Sequence, residues 1–410
     1  MKMKIHRGTN EIGGTCIQLS TKKTTILLDL GLSLKKNSIP LEFDTSQLDA
    51  VLISHPHQDH YGLIYTLSPN TPVYIGELGR RLIDAPRLLL GVPPFDNNFR
   101  HFSNRQPFQV GDITITALLV DHSAVDAYAF LIEAEGKRVF YSGDFRAQGR
   151  KSILFERMIA NPPKDIDVLF MEGTMMERKN DKFPSEVSVE QMIYEVISGQ
   201  ECISFLIASS QNIDRIVSAC RACIRASKTL VIDIYTAWIL EQLKLISKNV
   251  PAMEWSQIRV YATYCHDKRL KAHPEYFGDF RKRVYQYRVL SDEIRANPAQ
   301  YLFYGKTSYF KTINTFKRAG SVNLIYSQWL GYLNDQDQYG ASQIGAYRND
   351  PEVKFVHAHT SGHATVRDLQ TFAAALKPKM LVPIHTEAAE SCFTQFANVS
   401  CLEDSKEYSI

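Results

Sequence analysis

Nowhere in the chain do about 18 apolar residues run together, which excludes a membrane-spanning helix. The start, "MKMKIHRGTNEIGG", also lacks the apolar stretch of a secretory leader, so the expectation is a cytoplasmic protein with no membrane contact. Cysteine is scarce: the seven residues, at 16, 202, 220, 223, 265, 392 and 401, are odd in number and scattered. They exclude a disulfide framework and fit a reducing compartment. Cys220 and Cys223 make a single CxxC inside the helical run "NIDRIVSACRACIRAS", and with no second pair they read as helix thiols, not as a zinc or redox site. A strong charge of either sign is missing too. The formal net charge of +3 implies no nucleic-acid or membrane partner by itself, and any such partner must be argued from local clustering.

What is present describes an ordinary folded chain. Hydrophobic residues make up 44% and charged residues 22%, both globular values. A length of 410 residues exceeds what one core usually supports, so an inserted or second domain is expected. From residue 1 to about 175, "TCIQLS", "TTILLDLG", "AVLISH", "ITITALLV" and "AYAFLIEAEGKRVFYSGD" read as strands, with "EAEGKRV" as a hairpin turn. After about 183 the apolar period becomes 3.6 in "SEVSVEQMIYEVI" and "SSQNIDRIVSACRACIRAS", alternating with the strands "CISFLIA" and "TLVIDIY", which argues for an α/β domain. From about 350 come a strand, "VKFVHAH", a helix, "TVRDLQTFAAALKP", and another strand, "KMLVPIH".

Histidine is also sparse, 12 in all, yet three stand within "SHPHQDHYGL". A strand leads into His55, and Pro56 disfavours helix at the residue before it, so the motif is expected on a loop. In extended backbone His55 and His57 face one side and can share a cation, while Asp59 and His60 aim at a second. Imidazole and carboxylate are ligands for zinc or manganese. His122, Asp144 and His385 each follow a strand where a loop begins, and Asp29 is a further strand-end carboxylate.

These residues together resemble the metallo-β-lactamase superfamily. The resemblance implies one site from His55, His57 and His122, a second from Asp59, His60 and His385, with Asp144 bridging both and Asp29 supporting from behind. Two divalent ions, most simply Zn2+ with Mn2+ as an alternative, would then share a hydroxide. Against Asp59, Asp144 and that hydroxide they leave a formal charge of about +1, which favours an anionic phosphodiester.

"LFMEGTMM", "HAHTSGHATVRDL" and "KPKMLVPIHTE" narrow the resemblance to the β-CASP nucleases, the ribonuclease J-like family. The implied fold is α/β, a metallo-β-lactamase αββα sandwich (1–182 and 347–410) with an inserted α/β β-CASP domain (183–346). The implied activity is hydrolysis of RNA, single-stranded by preference, by exo- or endonucleolytic cleavage. DNA is the alternative substrate, small esters or cyclic nucleotides a further one, and a silent nucleic-acid-binding scaffold the rival outside enzymes; a homodimer stays open. Catalytic roles fall on Asp59, on Glu172 as acidic support, and on His363 as the group that contacts the scissile phosphate or protonates the leaving oxygen. Gly173 departs from the pattern, since many relatives carry serine there.

Substrate contact is expected from Ser209, Ser210 and Asn212, where a strand ends and a helix begins; plain helix capping is the rival reading. Trp329 is expected in the core, and His357 and His359 as packing or cleft-lining groups. Between Lys268 and Arg288, seven Lys or Arg face two acids and interleave with aromatics. That pattern suits nucleic acid, and equally a solvated helix face.

Overall fold

The computed structural model describes residues 1–35, 40–41, 43–177, 185–199, 201–334, 339–387 and 393–410. The junction expected at 182/183 and Cys392 lie outside the described residues. The chain forms two compact units, one of Met1–Ile83, Phe95–Lys182 and Gly362–Ile410, the other of Asp84–Pro94 and Phe183–Ser361.

The strands are β1 (Lys2–Arg7), β2 (Cys16–Ser20), β3 (Thr25–Leu28), β4 (Ala50–Leu52), β5 (Pro72–Tyr74) and β6 (Asn98–Arg100). They continue with β7 (Pro107–Val110), β8 (Ile113–Leu119), β9 (Tyr128–Ala134), β10 (Lys137–Tyr141) and β11 (Val168–Glu172). Next come β12 (Ser204–Ile207), β13 (Thr229–Asp233), β14 (Ile258–Tyr261), β15 (Tyr301–Gly305), β16 (Val322–Tyr326) and β17 (Val353–His357), and finally β18 (Met380–Ile384) and β19 (Glu407–Ser409).

The first unit holds two sheets, ordered β19-β1-β2-β3-β4-β5-β6 and β18-β11-β10-β9-β8-β7. Ile5, Ile17 and Leu28 from the first meet Phe130, Ile132, Tyr141 and Val168 from the second in one buried cluster. The outer face of the second sheet buries Phe140 and Leu169 against Phe155 and Met158 of the helix Ile153–Ala160 and Leu369 and Phe372 of the helix Val366–Leu376. The outer face of the first packs Leu27, Val51 and Val73 on Ile64 and on Ile83 of the helix Glu77–Leu90. These are the four layers of an αββα sandwich. Because both faces of β9 are covered, its sequence "YAFLIEA" is an almost continuous buried run, while β8, "ITITALL", alternates more. The β9–β10 hairpin turns through Glu135 and Gly136, both at positive φ (50° and 70°), the backbone that a two-residue primed turn requires.

In the second unit all strands are parallel, in the order β14-β13-β15-β12-β16-β17. Runs such as "SFLI" and "VNLIY" are buried at every position. Cys220 and Cys223 are buried on the helix Ile213–Arg225. The return to the first unit, expected at 347, comes later, at Gly362. The reason is pairing: β17 lies parallel to β16, Val322 opposite Val353 through Tyr326 opposite His357, and so belongs to the second unit's sheet. Trp329 is another correction, being 44% exposed. Its indole folds over Gly331, where a Cβ would stand 2.2 Å from the ring, and so lies on the surface of the turn. No helix among the described residues is long and apolar enough to cross a membrane.

Candidate metal centre

Parallel pairing brings the site together. β3 and β4 run parallel, as do β10, β11 and β18, and β8 shares their direction through two antiparallel steps across β9. Their C-terminal ends deliver Asp29, His55, His122, Asp144, Glu172 and His385 within the first unit. Glu172 pairs in register with Ile384, so His385 emerges beside it. His57 is extended (φ −97°, ψ 143°) and caps the short helix Gln58–Tyr61, which carries Asp59 and His60. The motif is therefore a loop only through His57, and the helical turn sends Asp59 and His60 in new directions.

Four groups of potential ligands result: His55, His57 and His122; Asp59, His60 and His385; His55, His60 and Asp144; and Asp144, Glu172, His363 and His385, with the ligand atoms of each group within 4.8 Å of one another. In the first group, His55 Nε2 and His122 Nε2 lie 3.2 and 3.3 Å from His57 Nδ1. In the second, His385 Nε2 and His60 Nε2 stand 3.3 and 3.8 Å from Asp59 Oδ2. Asp144 Oδ2 lies 3.8 Å from His55 Nε2, 3.2 Å from His60 Nε2 and 3.9 Å from His385 Nε2.

The other ring nitrogens are held from behind. His122 Nδ1 donates to Gly362 O at 2.6 Å. His60 Nδ1 donates to Asp29 Oδ2 at 2.7 Å, and the Ser54 hydroxyl, itself 2.7 Å from Asp29 Oδ2, stands 3.0 Å from His55 Nδ1. Tyr141 OH also donates to Asp29. Thr174 Oγ1 lies 2.8 Å from His385 Nδ1. Such partners fix which nitrogen faces the site. Asp29 (φ 59°) and His385 (φ 51°) adopt left-handed backbone, which turns the chain sharply at the strand ends.

The electrostatics match a cation centre. Burial drives His55 and His122 well below the ordinary imidazole value, and lowers His57 too, keeping them neutral as ligands must be. Burial opposes charge on His60 as well, but the carboxylates of Asp144, Asp29 and Asp59 outweigh it and raise its pKa well above the ordinary value. Burial likewise disfavours ionised Asp144, yet His385, His60 and His363 hold it well below the carboxylate range. His60 Nε2 is buried without a hydrogen bond among the described residues. An inward-facing buried nitrogen without a hydrogen bond, with the carboxylates of Asp144 and Asp59 close by, fits a divalent metal ion.

His363 stands beside the donors. Its Nδ1 is 3.1 Å from Glu172 Oε2 and 3.7 Å from Asp144 Oδ2. Glu172 is fully buried and also accepts from the Thr174 and Ala364 backbone N–H groups at 3.2 and 3.3 Å. All ten expected residues, Asp29 included, meet in the first unit. Ser54, Tyr141, Thr174 and the Gly362 carbonyl were not foreseen, although all four lie within the stretches that carry the expected residues.

Ser209, Ser210 and Asn212 lie in the second unit. Asn212 caps the helix Ile213–Arg225 through Oδ1, 3.1 Å from Arg215 N. Ser210 is buried and accepts from Thr236 Oγ1 at 2.9 Å, whereas Ser209 is exposed. His357 donates to Gln328 O at 3.0 Å and His359 to Ser327 O at 3.2 Å.

The chain matches the Beta-lactamase superfamily domain over residues 24–197 and the Zn-dependent metallo-hydrolase RNA specificity domain over 351–393. It is 21% identical to Ribonuclease J of Helicobacter pylori (strain ATCC 700392 / 26695) over 98% of its own length and 60% of that protein's. It is 26% identical to an RNase J-like protein of Methanocaldococcus jannaschii over 57% of this chain and 58% of that protein. The chain thus spans about 60% of the length of the first of these relatives. A crystal structure of a protein of unknown function from Enterococcus faecalis V583 superposes with a TM-score of 0.79 at 21% identity, covering 99% of both chains.

Proposed function

Since the chain belongs to the metallo-β-lactamase superfamily, in its β-CASP, ribonuclease J-like branch, we propose that it is a metal-dependent ribonuclease that hydrolyses phosphodiester bonds in RNA. The observation that carries this reading is the pair of triples, one of His55, His57 and His122 and one of Asp59, His60 and His385, with Asp144 Oδ2 3.8 Å from His55 Nε2 and 3.2 Å from His60 Nε2 and with His363 beside Glu172. His55, His57 and His122 would hold one ion, Asp59, His60 and His385 the other, and Asp144 both; zinc suits this imidazole-rich set, and manganese is the alternative. When bound, such ions supply Lewis acidity and a nucleophile at neutral pH.

The chain's own residues do the rest. Asp29, Ser54, Thr174 and the Gly362 carbonyl orient the imidazoles. Glu172 Oε2 accepts from His363 Nδ1 and orients that ring, so that in this reading His363 contacts a non-bridging phosphate oxygen and gives a proton to the leaving 3′ oxygen. The matched RNA-specificity segment, 351–393, contains His363 and His385, and supports RNA as the substrate. The second unit corresponds in this reading to the inserted β-CASP domain, and its exposed Ser209, with Ser210 and Asn212 shaping the turn, contributes substrate contact.

The test is incubation with matched 5′-labelled RNA and DNA bearing phosphate or hydroxyl ends, with added zinc or manganese. RNA cleavage is expected, and release of mononucleotides or of internal fragments distinguishes exo- from endonuclease action. Turnover of DNA alone would move the proposal to a DNA nuclease, and inertness on both polymers alongside hydrolysis of a small ester would end it.

A further inference from the structure

The second unit carries a charge pattern that the metal centre leaves unused. The 21 residues from Lys268 to Arg288 hold seven Lys or Arg against two acids, an excess of five in a chain whose whole excess is three. Solvated helix faces usually neutralise such runs by ion pairing. Here Arg281 pairs with Asp267 at 2.8 Å, and Arg283 pairs with Glu241 at 2.8 Å, Glu254 at 3.0 Å and Asp279 at 3.3 Å. The other acid, Glu275, is taken by His273 at 3.1 Å. Lys268, Arg269, Lys271, Lys282 and Arg288 are exposed and make no ion pair among the described residues.

Helical geometry places these cations outward. On the helix Tyr264–Ala272, Leu270 is buried, and Tyr264, Lys268 and Lys271, at i, i+4 and i+7, line the opposite side. On the helix Phe280–Gln286, Phe280 and Val284 are buried, Phe280 against the Trp238 ring, and Lys282 points away from them. The Arg281–Asp267 pair ties the two helices together. Exposed aromatic rings accompany the cations. Tyr264 is 80% exposed, and the Tyr285 ring has the Arg281 and Arg288 guanidinium carbons 4.8 and 4.9 Å from its centroid. Unpaired cations bind backbone phosphates without regard to sequence, and exposed rings stack on unpaired bases. A membrane surface would instead call for apolar anchors among the charges.

We propose that this face, built by Tyr264, Lys268, Lys271, Lys282, Tyr285 and Arg288, is a tethering surface for single-stranded RNA, separate from the metal centre's residues. The proposal rests on RNA being the substrate, and it adds how a long strand is retained.

The experiment uses the full chain in chelator, so that nothing is cleaved, and measures the anisotropy of a labelled long oligouridylate from about 50 to 200 mM salt. The variant carries Lys268→Ala, Lys271→Ala, Lys282→Ala and Arg288→Ala; a Lys22→Ala/Lys23→Ala variant is the control. Loss of four phosphate contacts should reduce the slope of log affinity against log salt by about 3. Tyr264→Ala should weaken binding severalfold and Tyr264→Phe should not. Thermal melting and metal-dependent hydrolysis of bis(p-nitrophenyl) phosphate should match the parent. An unchanged slope overturns the proposal, and so does competition by phosphatidylglycerol vesicles as strong as that by RNA. If the slope falls as expected but the parent degrades no RNA, the tethering surface stands and the ribonuclease reading fails.

Discussion

Asp29 holds His60: its Oδ2 lies 2.7 Å from His60 Nδ1, at the centre of a buried knot that also takes the Ser54 and Tyr141 hydroxyls. The carboxylate belongs to none of the potential ligand groups among the described residues, yet its hydrogen bond to Nδ1 leaves Nε2 of His60 facing Asp144. Asp29→Asn should therefore weaken metal binding by about 10- to 100-fold. Titration against a chromophoric chelator reads this directly; an unaltered affinity would remove the orienting role.

The opposite shifts within the site predict how pH acts on the protein freed of metal. His60, raised, contributes stability that is complete below the ordinary value of 6.5 and fades as pH climbs through its folded value. His55, His57 and His122, lowered, contribute stability that is present above 6.5 and fades as pH falls below it. Melting temperature in chelator should thus peak near 6.5, and the decline that sets in just above that value should vanish in His60→Gln, leaving the later one due to the buried thiols of Cys16, Cys220 and Cys223. Zinc added to weakly buffered protein at neutral pH should also expel a proton from His60, which an indicator dye or calorimetry in paired buffers would register.

Asp144 and His363 predict different losses. Asp144→Ala removes the carboxylate between both triples, and metal and activity should go together. His363→Ala should keep its metal and lose about 10²- to 10⁴-fold in cleavage rate, with Glu172→Gln falling between parent and His363→Ala. Elemental analysis beside a cleavage assay separates these cases, and equal metal loss in Asp144→Ala and His363→Ala would sink the role given to His363.

Gly173 stands where the resemblance leads one to expect serine. A Cβ there would meet the Phe393 ring at 2.8 Å and the Thr386 Cβ at 2.9 Å, so this chain has filled with phenylalanine the space a side chain would need. Gly173→Ser should cost about 1–3 kcal/mol of stability. Adding Phe393→Leu should restore part of it, and denaturant unfolding of the pair against each single variant is the check.

The potential ligands that converge in the fold were legible because their signals are local. "SHPHQDHYGL" fixes four donors by spacing, and each later donor sits where a strand gives way to a loop. What holds those donors was not legible. Tyr141 reaches Asp29 across 112 positions and Thr174 reaches His385 across 211, contacts that depend on sheet stacking and on the parallel pairing of β11 with β18. The same reason hid the place of β17, since "VKFVH" declares a strand without declaring its partner. Trp329 was misplaced because hydrophobicity favours burial but does not say that the chain turns at Gly331 and leaves the ring outside. The basic run was visible in the letters, whereas which of its cations remain unpaired required the neighbours.

The two ligand triples also differ in when synthesis can complete them. His55, His57 and His122 have all emerged once the first third of the chain is made, but Asp59 and His60 wait for His385, which follows the last strand of its sheet. On the proposed two-ion reading, a nascent chain would therefore have one set of donors long before the other. The same delay applies to His363: a chain elongated only past His122 holds the first triple but neither the second nor the group to which the proposed reading assigns proton transfer.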